Sequence, residues 1–185
     1  MVLLILGLAL WWGAHLFKRL APDARARLGN PGKGLMAGLI VLSVVLMVIG
    51  YRGADGAVFW GRSAPLVGIN NLLMVLAFYC YAASGAKGAK VWLGTKLRHP
   101  QLTGFSLWAV AHLLVNGDVP SFLLFGGLLA WALVETRLIN AQEGLWTRPP
   151  RAPIVKEVVA VIITIILLAV VMGIHAALGY VPWGS

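Results

Sequence analysis

Four histidines are the residues of this chain most able to do chemistry, and two of them sit where histidine is least at home. His15 and His112 lie inside long apolar segments. An imidazole in hydrocarbon keeps an N–H and a lone pair that lipid cannot satisfy. It must bond to another helix, ligate a metal or heme iron, or carry a proton. His15 follows Trp11-Trp12-Gly13-Ala14 and lies about 20 Å along a helix from Met1 at 1.5 Å per residue. His112 shares a helical stripe with Gln101, Phe105, Trp108 and Asn116 by i, i+3 and i+4 spacing, opposite Leu107, Val110 and Leu114. That stripe is expected to face the interior of a helix bundle. Asn116, one turn away, is expected to orient the His112 ring, as groups behind ligating histidines do.

His99 is placed differently. It precedes Pro100, a residue favoured in the first turn of a helix, so it belongs with Arg98 at a membrane–water interface. From His99 to His112 a helix rises about 19.5 Å and turns through about 220°, so those two cannot share one metal ion. If two histidines hold one metal, the pair is His15 and His112, from different helices. With assumed helix starts, they lie about 10 Å and about 18 Å from the cytoplasmic side, and a shared ion requires tilt, or a helix beginning before the membrane, to bring them level. His175, near the end of the last apolar segment, is expected to be interfacial or structural. Asn70 and Asn71 are candidates for interhelical hydrogen bonds. Glu135 and Arg137 could form an ion pair or a pocket wall, and Trp60, Trp146 and Trp183 read as interface anchors.

The elements that must position these residues are membrane helices. The 185 residues are 60% hydrophobic and only 11% charged, against about 25% in a soluble domain. Mean hydropathy is +0.87. Six apolar segments, 2–20, 34–51, 65–84, 100–117, 120–138 and 154–178, approach the roughly 20 residues a span needs. The expected fold is all-α: a polytopic six-transmembrane-helix bundle forming one integral membrane domain over residues 1–185. Gly117-Asp118-Val119-Pro120 alone separates the fourth and fifth segments, which predicts an antiparallel hairpin. The loop 139–153, with Pro149-Pro150 and Pro153, is expected to be extended. The first segment is not read as a signal peptide, because no basic region precedes it and no small-residue cleavage site follows.

The net charge of +9 would suggest nucleic acid in a soluble protein, but here the basic residues fall in loops. Lys18, Arg19, Arg25, Arg27 and Lys33 lie in the first loop, and Lys87, Lys90, Lys96 and Arg98 in the third. Arg137, Arg148, Arg151 and Lys156 lie in or beside the fifth. Only Arg52 and Arg62 fall on the other side. The positive-inside rule then puts loops one, three and five in the cytoplasm and both termini outside, in a bacterial inner membrane. The single cysteine, Cys80, excludes an intrachain disulfide and any Cys-based zinc or iron–sulfur motif.

The run from Arg98-His99-Pro100-Gln101-Leu102-Thr103-Gly104 through Trp108 and His112 to Asn116-Gly117-Asp118 resembles the signature of the NnrU family. Gly13-Ala14-His15 and Tyr51-Arg52-Gly53-Ala54-Asp55-Gly56 also look like family positions. The resemblance extends across most of the chain. It implies a connection to nitrogen-oxide respiration (denitrification) and to the related plant zeta-carotene isomerase, a membrane enzyme that binds heme b through histidines. By motif its heme ligands match His15 and His112. Ala109 stands where the isomerase has a cysteine three residues before the second ligand.

What the resemblance implies is therefore a heme b protein with redox or isomerase-type chemistry on a small or lipophilic substrate, or a heme-binding sensor or accessory protein. Arg19, Arg98 or Lys18 would meet the heme propionates, with His99, Trp108 and Asn116 also near the cofactor. Arg98, His99, Pro100 and Gly104 are similar, too, to a motif of membrane methyltransferases that hold S-adenosylmethionine, which keeps that cofactor as the alternative. The usual tyrosine of that motif is Leu102 here, and its later glutamate pair is reduced to Glu135 followed by Thr136.

Overall fold

Prolines set most of the helix starts. A proline in the first turn forgoes an N–H that has no intrahelical partner anyway, and its fixed φ suits the helix. In the computed structural model, which describes residues 1–85 and 88–183, this holds for α2 (Pro22–Arg27), α3 (Pro31–Arg52), α4 (Ala64–Ser84) and α5 (Pro100–Val115). It holds again for α6 (Val119–Glu143), where Asp118 caps the start by accepting from the Ser121 backbone N–H at 2.8 Å. The remaining helices are α1 (Val2–Leu20) and α7 (Ile154–Ala177). Lys87, counted above among the basic loop residues, lies outside the described residues.

Five of these helices, α1, α3, α4, α6 and α7, are long and apolar enough to cross a membrane. Their outward side chains are overwhelmingly apolar, as on α7, where Val158, Val161, Ile162, Ile165 and Ile166 are exposed. That surface suits lipid and marks a multi-pass membrane protein. The expectation of six spans meets five, because α5 has 16 residues and rises only about 24 Å. One element departs from an all-helical chain: β1 (Val58–Trp60) pairs with β2 (Gly117–Asp118) in a two-stranded ladder.

The chain forms two compact units: residues 1–59 with 117–142, and residues 60–116 with 143–185. In the first, α1 meets α3 where Gly50 lets the Leu4 backbone approach so closely that a Cβ there would overlap it. Small residues at helix crossings serve this purpose where lipid removes the hydrophobic drive for association. α1 also meets α6 turn by turn, starting with Trp12, whose indole N–H donates to the Gly127 carbonyl at 3.1 Å. Near this contact α6 widens into a π-turn over Phe122–Gly126.

In the second unit Gly104 does for α5 what Gly50 does for α3. A Cβ at Gly104 would stand 2.7 Å from the Ala77 carbonyl oxygen and 2.9 Å from Cys80 Cβ on α4. The segments 100–117 and 120–138, expected to form a hairpin, fall in different units, and within its own unit α5 is placed by α4. α4 also meets α7 around Ala83, Val91 and Ala160. Glu157 in the first turn of α7 accepts from the Tyr79 hydroxyl and, at 2.8 Å, from the Trp92 backbone N–H. The loop after α6 is extended as expected: Arg151 bridges Lys90, with Lys90 N–H donating to the Pro150 carbonyl and Ala152 N–H to the Lys90 carbonyl.

Candidate functional site

Trp11 and His15 are one helical turn apart on α1, and His15 Nδ1 lies 2.9 Å from the Trp11 carbonyl oxygen. A carbonyl only accepts, so Nδ1 carries the proton and the lone pair of the neutral ring sits on Nε2. The ring forms a three-ring cluster with two indoles, its centroid 4.1 Å from that of Trp11 and 4.7 Å from that of Trp131 on α6. The two indoles meet edge to face at 5.2 Å. One turn further along both helices, Arg19 Nε stands 3.8 Å from Glu135 Oε1, and the Arg19 carbonyl accepts from Gln142 at 2.9 Å.

His112 repeats this arrangement in the second unit. Its Nδ1 lies 2.9 Å from the Trp108 carbonyl oxygen, and the Trp108 ring is 5.0 Å away. Phe105 extends the aromatic wall at 5.1 Å from Trp108. The ring across from His112 belongs to His175, with centroids 6.4 Å apart and planes at 51°. His175 Nδ1 is in turn 2.8 Å from the Val171 carbonyl oxygen. His15, His112 and His175 therefore hold the same tautomer by the same i to i−4 bond.

Several expectations change against this geometry. Asn116 does not orient the His112 ring; its amide donates to the His112 backbone carbonyl at 2.8 Å and closes the end of α5. The stripe from Gln101 to Asn116 is not the buried face: Gln101 is exposed and the others are half-buried, while Gly104, Ala109 and Ala111 are buried. Small residues win that face because α4 comes so close. Arg98 donates to the Gly144 carbonyl at 2.6 Å and pairs with Glu143 at 3.6 Å. Glu135 finds Arg19 rather than Arg137. His99 caps α5, its carbonyl accepting the Thr103 N–H at 2.9 Å and the Thr103 hydroxyl at 3.0 Å. Lys18 is exposed.

The interhelical role expected of the asparagines is met by Asn70, while Asn71 reaches the segment beyond α7. Asn71 donates to the Pro182 carbonyl at 3.1 Å, and Asn70, with its amide nitrogen toward α5, reaches the Ala111 carbonyl at 2.9 Å. Trp60 donates its indole N–H to the Leu113 carbonyl at 3.2 Å. Among the described residues, no group of three or more His, Cys, Asp or Glu comes together that could hold a metal ion.

A family model described as NnrU protein matches residues 3–183, nearly the whole chain. The chain belongs to the NnrU family. No curated protein and no solved structure matches it.

In this NnrU chain Trp131 and Glu157 escape a reading of the sequence, and His175, read as interfacial or structural, has a ring contact with His112 that the reading did not foresee. A signal existed for Glu157. Glu157 is an acid at the start of an otherwise apolar helix, and an intramembrane carboxylate needs a partner. His175 has the same claim as His15 and His112 once position along the segment is set aside. Trp131 had no such signal, because one tryptophan in an apolar helix looks like any other. The repeated spacing Trp11-x-x-x-His15 and Trp108-x-x-x-His112 was also readable and marks the indole beside each ring, while the backbone lock needs no tryptophan, since His175 makes it to Val171.

Proposed function

We propose that this NnrU-family protein binds heme b within the membrane through imidazole nitrogens, with His15 and His112 as the ligands, and that it carries redox or isomerase-type chemistry on a small or lipophilic substrate. The observation that supports this reading is the tautomer lock. Both rings have Nδ1–H tied to their own helix, at 2.9 Å in each case, which presents Nε2 as the ligating nitrogen. Trp11 and Trp131 around one ring, and Trp108 with Phe105 beside the other, supply apolar aromatic walls of the kind a porphyrin needs. Each imidazole taken by itself, neutral with Nε2 free of its own helix, is of the kind a heme iron takes.

Heme iron with two imidazole ligands supplies one-electron transfer, and with one position opened it supplies a Lewis acid. The chain's own part is to hold each imidazole by its backbone bond, to keep water out with indole faces, and to fix ring orientation. Arg19 and Arg98 stand at the ends of their helices as cations for carboxylate groups, each sharing its charge with an acid already present. The reading includes the finer topology. α5 is the sixth span, loops one, three and five face the cytoplasm of a bacterial cell, and both termini lie outside. A setting in nitrogen-oxide metabolism follows the family resemblance.

The test is the absorption spectrum of the protein purified in detergent. A Soret band that is lost in both His15→Ala and His112→Ala is the expected result. A colourless protein that binds S-adenosylmethionine saturably, and loses that binding in His99→Ala, would replace the heme reading with the methyltransferase one.

A further inference from the structure

The sequence of the second unit, residues 60–116 with 143–185, holds only two acidic side chains, Glu143 and Glu157. Both are engaged. Glu143 pairs with Arg98 at 3.6 Å. Glu157 accepts from the Tyr79 hydroxyl on one oxygen and from the Trp92 backbone N–H on the other. Five more cations stand at the same end of this unit, where α4 stops and α5 and α7 start. They are Lys90, Lys96, Arg148, Arg151 and Lys156, and all but Lys90 are exposed. The unit has no further acid of its own to set against them.

The backbone fixes where these cations stand. Lys90 N–H donates to the Pro150 carbonyl at 2.9 Å, and Ala152 N–H donates to the Lys90 carbonyl at 2.7 Å. This is a parallel bridge between Lys90 and Arg151. Neighbouring strands in such pairing lie about 4.8 Å apart, so two basic residues are held side by side. The Lys90 ammonium also donates to the Ser84 carbonyl at 3.1 Å, which ties the bridge to the last residue of α4. Lys156 lies in the first turn of α7, a helix that starts after Pro153 with no side-chain cap. The positive pole of a helix dipole disfavours a cation in that turn and favours an anion beside it.

Exposed apolar side chains are interleaved with the cations. Leu145 is 102% exposed, Ile154 67%, Val155 65% and Trp92 49%. A mixture of basic and large apolar side chains suits the boundary between lipid headgroups and acyl chains. The spans fix the depth: α4 ends here and α7 begins here, and both are long and apolar enough to cross a membrane. An acidic polypeptide would answer the charge alone. Phosphodiester headgroups answer the charge, and the chains below them answer the apolar groups.

We propose that this end of the second unit, residues 88–98 with 144–156, is a docking face for anionic phospholipid. Arg148, Arg151 and Lys156 take headgroup phosphates beside Lys90, and Leu145 enters the acyl boundary. The face does not depend on heme, and its test leaves the heme reading untouched. Each cation near an anionic membrane surface strengthens binding about fivefold.

The experiment uses the full chain with a polarity-sensitive fluorophore on Leu145→Cys, the native Cys80 being 2% exposed. The protein is reconstituted in vesicles of phosphatidylcholine alone or of phosphatidylcholine with phosphatidylglycerol. Expected is a blue-shifted emission with phosphatidylglycerol that reverts in high salt, where surface charges are screened. The shift is also lost when Arg148→Gln, Arg151→Gln and Lys156→Gln are combined. In native mass spectrometry of the unlabelled protein, wild type keeps phosphatidylglycerol over phosphatidylcholine. The triple variant keeps less by about tenfold or more. Combined Arg27→Gln, Lys33→Gln and Arg137→Gln remove as many exposed cations from the first unit and should leave both readouts in place.

Equal loss in the two triple variants would mean diffuse attraction to basic charge and overturns the docking face. The same emission in both kinds of vesicle overturns it as well. So does an emission that shifts with soluble polyglutamate but not with phosphatidylglycerol, which would make the partner an acidic protein. Should the triple variant fail to fold, the salt response of the labelled protein carries the test without it: a shift that persists in high salt overturns the proposal.

Discussion

Trp11-Trp12-Gly13-Ala14-His15 and Trp108-Ala109-Val110-Ala111-His112 place an imidazole one turn beyond an indole, in each case with Nδ1 on the tryptophan carbonyl. What stands across from the ring differs. His15 faces the Trp131 indole at 4.7 Å, and His112 faces a second imidazole at 6.4 Å. The first partner is an indole and the second another imidazole. The tautomer is therefore a local property of the helical turn, shared by His175 on Val171, while the ring's surroundings are set by tertiary structure.

The strongest way to break this comparison is to remove the wall. Trp131 is 5% exposed and touches both Trp11 and His15, so Trp131→Ala should destabilise the protein by about 3–5 kcal/mol, measured by thermal or denaturant unfolding in detergent. The 15N shifts of the His15 ring should move, yet Nδ1 should remain the protonated nitrogen, because its acceptor is on α1. A change of tautomer in this variant would mean that the lock depends on the wall and is not local.

The second unit can be tested at its closest crossing. Gly104→Val places methyl groups where the Ala77 carbonyl and Cys80 Cβ already stand, and overpacking of this kind costs about 1–3 kcal/mol. Cys80 is 2% exposed beneath that contact. Its thiol should resist maleimide in the wild type and react in the variant. Full protection of Cys80 in Gly104→Val would show that α4 and α5 tolerate separation there.

Glu157→Gln acts further from the histidines. The carboxylate accepts from the Tyr79 hydroxyl on one oxygen and the Trp92 N–H on the other, and an amide can accept on only one. The expected loss is about 1–3 kcal/mol, with faster proteolysis within residues 88–98. Unchanged protease resistance would mean that Val91 and Leu93 hold this segment through their apolar contacts alone.

The helices were legible because a span is a matter of length and apolar content, and prolines mark where it starts. Five of the six apolar segments became long membrane helices, and the bounds of the first, Val2–Leu20, coincide with the segment read from the sequence. The two buried histidines were legible for the same reason: a polar ring in a long apolar run stands out. Partners were not. Spacing places Phe105, Trp108, His112 and Asn116 on one stripe but does not tell which stripe α4 covers. Close approach of backbones at Gly104 decided that in favour of Gly104 and Ala111. Charge was legible as topology but not as pairing, since Arg19, Arg98 and Glu135 each met residues from distant parts of the sequence.

Asn116 is the finest test, because two accounts of it predict different things. If it oriented the imidazole, Asn116→Ala would release the ring and change its tautomer balance. In the structure its amide meets the His112 carbonyl at 2.8 Å, and the ring is held instead by Trp108. An interhelical or end-closing hydrogen bond of this sort contributes about 0.5–1.5 kcal/mol. Asn116→Ala should therefore lower stability only slightly, by fraying the last turn of α5, and leave Nδ1 of His112 protonated. Backbone amide exchange at residues 113–116 should rise while the ring 15N shifts stay in place. The opposite pattern, a shifted ring with unchanged exchange, would return Asn116 to the ligand environment and make the lock at His112 a product of two residues where His15 needs one.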